Sequence, residues 1–315
     1  MRGGEDTLRR MMNIVIHEVG MRDGLQMEHT TVPTATKLEW IRDLVASGVD
    51  VVQVGSFVHP ERVPQMADTD QLFRELTGPQ GRGGAAMLSG LVLNEKGLER
   101  GLTCGVELFC LGVSASETHS RKNTGMEVAE ATTRIIATAK NALAAGKKVQ
   151  VSVQSAFGCG YEGAVPEERV FSIIDRYLEA GLTNISLADT AGHATPAQVM
   201  KLFSGLKERG PALEMACHFH NTYGLGMANV WAAINAGASS IESSVAGLGG
   251  CPFTRIAGGN VCTEDLVHML QHMGLRRDIR LGQIVSTAEA IAAFLERDLP
   301  GTVYKVGVLP EGVHA

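Results

Sequence analysis

The sequence has few aromatic residues, 5%, and no excess of positive charge. Its 28 lysines and arginines are outnumbered by 34 aspartates and glutamates, giving a formal net charge of -6. A phosphate backbone demands a basic face, and the acidic balance argues against nucleic acid as the default partner. That balance still permits a locally basic pocket for a phosphorylated cofactor. No stretch reaches the ~18 uninterrupted apolar residues of a membrane span. The first residues, MRGGEDTLRRMM, mix Arg with Glu5 and Asp6 and hold no apolar stretch of signal-peptide length. The final EGVHA carries no peroxisomal or lipidation signal. None of the six cysteines (Cys104, Cys110, Cys159, Cys217, Cys251 and Cys262) forms a C-x-x-C pair, and most lie in apolar or glycine-rich runs, which reads as reduced thiols. A cytoplasmic protein is the expectation.

What the sequence does have is glycine, 37 residues of 315, and a repeating rhythm. Short Val/Ile/Leu-rich runs alternate with longer helical stretches. The expected strands are Asn13–Val19, Val51–Phe57, Ala86–Leu93, Val106–Leu111, Lys148–Gln154, Asn184–Ala188, Glu214–Phe219 and Ser240–Val245. Glycines at Gly48, Gly146, Gly181 and Gly237 sit where a helix would stop before the next strand. Expected helices include Thr34–Ala46 with Thr34 as N-cap, Met126–Ala145, and Pro166–Ala180 and Pro196–Glu208 with proline in the first turn. About eight strand–helix units is the period of a (β/α)8 barrel, a fold of ~250 residues. The surplus is an N-terminal lead, longer loops and a helix near Ser286–Glu296. A doubly wound open sheet is the alternative. No low-complexity linker divides the chain, so residues 1–315 read as one domain.

Three clusters carry residues suited to chemistry. The first is His17-Glu18-Val19-Gly20-Met21-Arg22-Asp23-Gly24-Leu25-Gln26, at the end of the first strand, the end at which barrels catalyse. Adjacent Arg22 and Asp23 form either a solvated loop ion pair or a carboxylate metal ligand beside a cation that stabilises an oxyanion. The second is Cys217-His218-Phe219-His220-Asn221-Thr222-Tyr223. Because strand side chains alternate, His218 and His220 face the same way and can reach one ion. With Asp23 they make a mixed N/O set that suits Mg²⁺ or Mn²⁺ and also admits Zn²⁺ or Co²⁺. An isolated H-x-H is often structural. The third is Gly247-Leu248-Gly249-Gly250-Cys251-Pro252-Phe253, followed by Gly258-Gly259-Asn260. It is either a connection needing positive φ or a lid that delivers Cys251 on glycine hinges. No Lys follows in the manner of a phosphate-binding loop.

In this order and context the clusters resemble the 3-hydroxy-3-methylglutaryl-CoA lyase family of TIM-barrel metallolyases. The resemblance extends through Ser56-Phe57-Val58, Val63 to Asp68, Ser114 to Glu117, Gly158-Cys159, Tyr161-Glu162-Gly163, Asp189-Thr190, Ser243 to Pro252 and Thr263 to Val267. It implies a (β/α)8 TIM barrel with a glycine-rich catalytic lid loop after the last strand, and retro-Claisen cleavage of a hydroxyacyl-CoA, as in leucine degradation. It implies a divalent metal held by Asp23, His218 and His220, with Asn260 close by. Arg22 would stabilise the enolate oxygen, and Cys251 or His218 would supply a proton. Glu18 and Asp189 would belong to the supporting polar network, with Glu264 near the lid. Ser116, Arg121, Lys122 and Asn123, after the fourth strand, are candidate CoA contacts, although Arg121-Lys122 also reads as a solvated face. Family members are often dimers, so a homodimer is implied.

One position departs from the family pattern. Gln53 stands where the family has Glu, which keeps shape but removes a negative charge near Arg22. Three readings follow: the named reaction with a retuned site, a lyase acting on a related hydroxyacyl-CoA, or a non-catalytic paralogue. A Claisen-type synthase or aldolase on the same scaffold is a further alternative. The Gly-Leu-Gly-Gly-Cys-Pro loop and the lack of an added C-terminal regulatory domain point away from it.

Overall fold

A computed structural model describes residues 14–210, 212–250 and 258–309. Eight parallel strands close into a barrel: β1 Val15–Glu18, β2 Val51–Ser56, β3 Met87–Leu91, β4 Leu108–Ser114, β5 Lys148–Gln154, β6 Asn184–Asp189, β7 Glu214–Phe219 and β8 Ser240–Ser243. Pairing of β1 with both β2 and β8 seals the ring and rules out the open sheet. Every residue of β2 and of β4 is buried, as expected where helices cover one side and side chains fill the other.

The outer layer comprises α1 Thr34–Ser47, α2 Thr69–Thr77, α3 Glu95–Cys104, α4 Glu117–Thr124, α5 Val128–Ala144, α6 Glu167–Glu179, α7 Pro196–Glu208, α8 Gly226–Ala236, α9 Thr263–His272, α10 Leu281–Leu295 and the short α11 Val303–Val306. Gly48 and Gly237 end α1 and α8 at φ 96° and 112°, a left-handed stop that suits a residue without Cβ. One capping expectation is corrected. Thr34 is the first residue of α1 rather than its cap, and its hydroxyl donates to Asp68 Oδ2 at 2.9 Å, tying the helix to the β2–α2 loop. β4 begins two residues later than the expected Val106 and runs on to Ser114, paired with β5 throughout. The last strand ends before Val245, because Ala246 turns to φ 58°.

The barrel interior is polar toward its mouth. His17 Nε2 lies 2.8 Å from Ser89 Oγ, linking β1 to β3, and Ser186 Oγ donates to Glu242 Oε1 at 2.8 Å, linking β6 to β8. A bond that skips a strand crosses the barrel interior. Apolar packing lies instead between sheet and helices, where Phe73, Phe109, Tyr177, Phe203 and Phe219 are fully buried.

Candidate active site

The residues after β1 do not run straight into a helix. Gly20–Gly24 forms a π-type turn in which the amides of Arg22, Asp23 and Gly24 all lie on the Val19 carbonyl, and this tight wrap brings Arg22 and Asp23 over the barrel mouth. Asp23 Oδ1 accepts from Arg22 Nη1 at 2.5 Å and from Gln26 Nε2 at 3.1 Å. Asp23 Oδ2 accepts from Asn260 Nδ2 at 2.8 Å. Across the mouth, β7 aims His218 and, just past its end, His220 at the same oxygen, with their Nε2 atoms 3.8 and 3.9 Å from Oδ2. The two Nε2 atoms are 3.2 Å apart. Among the described residues, Asp23, His218 and His220 form a buried cluster whose ligand atoms all lie within 4.8 Å of one another.

The electrostatics follow from burial and neighbours. Burial opposes charge on Asp23, but Arg22, His218, His220 and the Asn260 amide outweigh it and hold the carboxyl well below the usual range. Burial, helped by His218, pushes His220 down to about 4, so its ring is neutral and carries a lone pair. Burial also acts against charge on His218, yet the Glu242 hydrogen bond and Asp23 raise it. His218 Nδ1 lies 2.9 Å from Glu242 Oε2, which fixes the ring and turns Nε2 toward Asp23, as a carboxylate behind a ligating histidine does.

These residues fit a divalent cation. Two imidazole nitrogens and a carboxylate oxygen converge within 4.8 Å of one another, and Asn260 Oδ1 is buried beside them with no hydrogen-bond partner among the described residues.

Arg22 and Gln53 complete the cation side. Arg22 Nε donates to Gln53 Oε1 in a close contact, so this amide takes the place a carboxylate would hold against the guanidinium. Beyond it Cys110 Sγ lies 3.6 Å from Gln150 Oε1, and burial pushes the Cys110 thiol up to about 12, leaving it a neutral wall group. These side chains line a cavity of about 320 Å³, opposite Val58, Val63, Met66 and Leu111. That is the size and the polar–apolar mix of a small-molecule site.

Other expected residues fall differently. Asp189 is fully buried, and its carboxylate accepts the amides of His193 at 2.8 Å and Ala194 at 3.0 Å. It therefore shapes the β6–α7 loop from behind instead of lining the cavity. Ser116 is fully buried and caps α4, its hydroxyl accepting from the His119 amide at 3.1 Å, so it offers no open contact to a cofactor. Arg121 pairs with Glu127 at 2.7 Å on the surface, and Lys122 Nζ sits 4.1 Å from the Tyr161 ring centroid. Asn123 does line the cavity. Cys251 lies outside the described residues; the other five cysteines are buried and free of disulfides. Glu242 was missed. Its signal was a lone acid in the strand Ser240–Ser243, in register with His218.

A family model described as HMGL-like matches residues 13–291. The hydroxymethylglutaryl-CoA lyase YngG of Bacillus subtilis is 36% identical over 287 residues, 91% of this chain and 95% of that protein. The (R)-citramalyl-CoA lyase of Chloroflexus aurantiacus is 37% identical over 311 residues, 96% of this chain and 98% of that protein. The structure of an HMG-CoA lyase from Acinetobacter baumannii, in complex with coenzyme A and 3-methylmalate, superposes with a TM-score of 0.88 at 35% identity, covering 96% of this chain and 97% of that one. Barrel, mouth and relatives together define a carbon–carbon lyase acting on acyl-CoA. The chain belongs to the HMGL-like family. No described helix is long and apolar enough to cross a membrane.

Proposed function

We propose that this lyase depends on a divalent metal and cleaves a 3-hydroxy-3-methylglutaryl-type acyl-CoA by retro-Claisen chemistry, with residues 1–315 acting as one catalytic domain. The observation that carries this reading is the convergence of Asp23, His218 and His220 within 4.8 Å beside Arg22. Asp23 Oδ2 and the two Nε2 atoms would hold the ion, with Asn260 Oδ1 near it, which leaves positions for the substrate. When bound, the cation lowers the pKa of the substrate hydroxyl as a Lewis acid. The oxygen-rich remainder of the site favours Mg²⁺ or Mn²⁺.

The hydroxyl proton passes to solvent water, the tertiary carbon becomes a carbonyl, and its bond to the carbon α to the thioester breaks. The bonding pair passes into a thioester enolate. Arg22 is anchored through Nε by Gln53 and through Nη1 by Asp23, so its remaining N–H groups face the cavity and stabilise the enolate oxygen. A proton delivered to the enolate carbon completes acetyl-CoA. His218 has Nδ1 on Glu242 and Nε2 at the ligand cluster, so it is read as a ligand, and the proton donor would be Cys251, as the family resemblance implies.

The acyl group can differ from hydroxymethylglutaryl. A neutral Gln53 against Arg22, together with 37% identity to a citramalyl-CoA lyase, favours a related hydroxyacyl-CoA as the second reading. Metal-stripped protein should release acetyl-CoA from hydroxymethylglutaryl-CoA or citramalyl-CoA only after Mg²⁺ or Mn²⁺ is restored. Release from neither substrate with either ion would overturn the proposal. A homodimer in the cytoplasm is the assembly and setting we infer, and sedimentation of the purified chain tests the first.

A further inference from the structure

The connection between β8 and α9 turns at a residue ill suited to it. Ala246 sits at φ 58° and ψ 10°, left-handed space that L-residues other than glycine seldom enter. It is fully buried, and both of its backbone groups are held. Its amide donates to Glu264 Oε2 at 3.0 Å, and its carbonyl accepts the Gly301 amide at 3.0 Å. Glu264 stands in the first turn of α9, fully buried, and Gly301 belongs to the segment that returns after α10. The approach is close: a Cβ on Gly301 would fall 2.5 Å from Glu264 Oε1 and 2.9 Å from Cys262 Sγ.

What the turn orients is the ligand cluster. Two residues on, the Leu248 carbonyl accepts from Asn260 Nδ2 at 3.0 Å, and that same nitrogen donates to Asp23 Oδ2 at 2.8 Å. Leu248 also packs on the turn that carries Asp23, with its Cβ 2.7 Å from the place a Cβ on Gly24 would occupy. Gly249 leaves no room for a side chain, since a Cβ there would meet Asn260 Nδ2 at 2.6 Å. A slip of the Ala246 turn therefore displaces the carbonyl that sets the Asn260 amide, and with it the partner of the Asp23 oxygen facing His218 and His220.

We propose that Glu264 is a positioning residue for the metal cluster: by holding the Ala246 amide it keeps a strained turn in place, and through Leu248 and Asn260 it orients Asp23. The inference rests on the metal reading given under the proposed function. It involves no contact between Glu264 and substrate. The strain at Ala246 is what makes a clamp necessary, and it also provides a specific rescue, because glycine adopts this conformation without the steric penalty of a Cβ.

The test uses the full-length protein and four variants: Glu264→Leu, Glu264→Gln, Ala246→Gly and Ala246→Gly/Glu264→Leu. Mn²⁺ affinity, kcat and KM, and amide exchange across residues 244–249 are measured for each. Glu264→Leu should weaken Mn²⁺ binding by about 10-fold or more, lower kcat more than it raises KM, and speed exchange in the turn. Glu264→Gln retains an acceptor oxygen and should stay near wild type, as should Ala246→Gly alone. The double variant should recover most of the lost Mn²⁺ affinity, which a general loss of packing would not allow. Wild-type Mn²⁺ affinity and wild-type exchange in Glu264→Leu, or no recovery in the double variant, overturns the proposal. Should Glu264→Leu fail to fold, Ala246→Val replaces it, since a branched residue resists the same conformation. Normal Mn²⁺ affinity in that variant is the overturning result. If the wild-type protein binds no Mn²⁺, the metal reading is what fails, and the exchange contrast between Glu264→Leu and Glu264→Gln still decides the clamp.

Discussion

The two ends of the barrel bury charge in opposite ways. Near the start of the strands, Arg276 is 8% exposed and its donors are all met: Nη1 by the Ile14 carbonyl at 2.5 Å and Asp50 Oδ2 at 2.6 Å, Nη2 by Asp278 Oδ2 at 2.9 Å, Nε by Asp278 Oδ1 at 3.0 Å. Asp50 in turn accepts the Ile16 amide at 2.7 Å. The network closes on itself and fastens β1 to the chain that enters β2. At the other end Asp23 also meets an arginine, yet one of its oxygens faces two histidine nitrogens 3.2 Å apart. Arg276 and Asp23 are each nearly buried, and what separates a structural joint from a site is whether the polar atoms have each other, here with Asp278 open to solvent, or still require a partner.

The sharpest way to break this contrast is to remove one member at each end. Asp23→Ala or His218→Ala should abolish measurable Mn²⁺ binding and lower kcat/KM by about 10³-fold or more, with a thermal midpoint close to wild type. Arg276→Ala should do the reverse. It strands Asp50 and the Ile14 carbonyl and should cost about 3 kcal/mol of stability in denaturant unfolding, short of a fully buried pair because Asp278 is well exposed, while Mn²⁺ affinity is unchanged. Loss of metal binding in Arg276→Ala would sink the division.

A pH scan sharpens it further. Glu18 lies beneath the mouth, and burial pushes its carboxyl up to about 7 from 4.5, despite hydrogen bonds from Thr263, Val245 and Gly20. The folded form therefore holds this proton more tightly than the unfolded form does. Its contribution to stability is fully present below about pH 4.5 and is lost as pH rises through about 7, a loss of at most about 3 kcal/mol. Thermal midpoints of Glu18→Gln should fall less steeply over that window than those of wild type, and parallel curves would show that Glu18 does not titrate there.

Smaller still, Gln53→Glu adds a negative charge against the Arg22 guanidinium. It should shift the ratio of kcat/KM for hydroxymethylglutaryl-CoA over citramalyl-CoA by about 10-fold; an unchanged ratio removes Gln53 from the account of specificity. Smallest is Arg121→Ala, which breaks an exposed pair and should alter stability by less than about 1 kcal/mol. A rise in KM for the acyl-CoA in this variant would recover Arg121 as a CoA contact.

Much of this was legible in the chain. Lys148–Gln154 and Glu214–Phe219 read correctly to the residue; the first alternates Val with polar residues at the strand period, and each follows a glycine that ends the preceding helix region. His218 and His220 were paired by strand alternation alone. Asp189 was expected in the supporting polar network and does tie down the loop after β6, whereas Ser116 turned from a candidate contact into a helix cap, since a hydroxyl that caps a helix and one that faces a cavity are the same letter in sequence. Glu242 was missed for a related reason: a lone acid in its strand was its signal, but its meaning comes from His218, twenty-four residues earlier and in register on the neighbouring strand. The Thr34 cap failed because Pro33 occupies the cap position, one residue earlier, and the Thr34 hydroxyl found Asp68, thirty-four residues away.

The sequence by itself determined the strand–helix period, the glycine stops and the residue types able to hold a cation, because these depend on neighbours one to four positions apart. Only the tertiary structure decided that Asp23, His218, His220 and Asn260 share one point, that Gln53 rather than a carboxylate anchors Arg22, and that Glu264 holds a strained alanine behind them. Each of those depends on barrel closure, which places β1 beside β8 and lets groups more than 200 residues apart meet within a hydrogen bond.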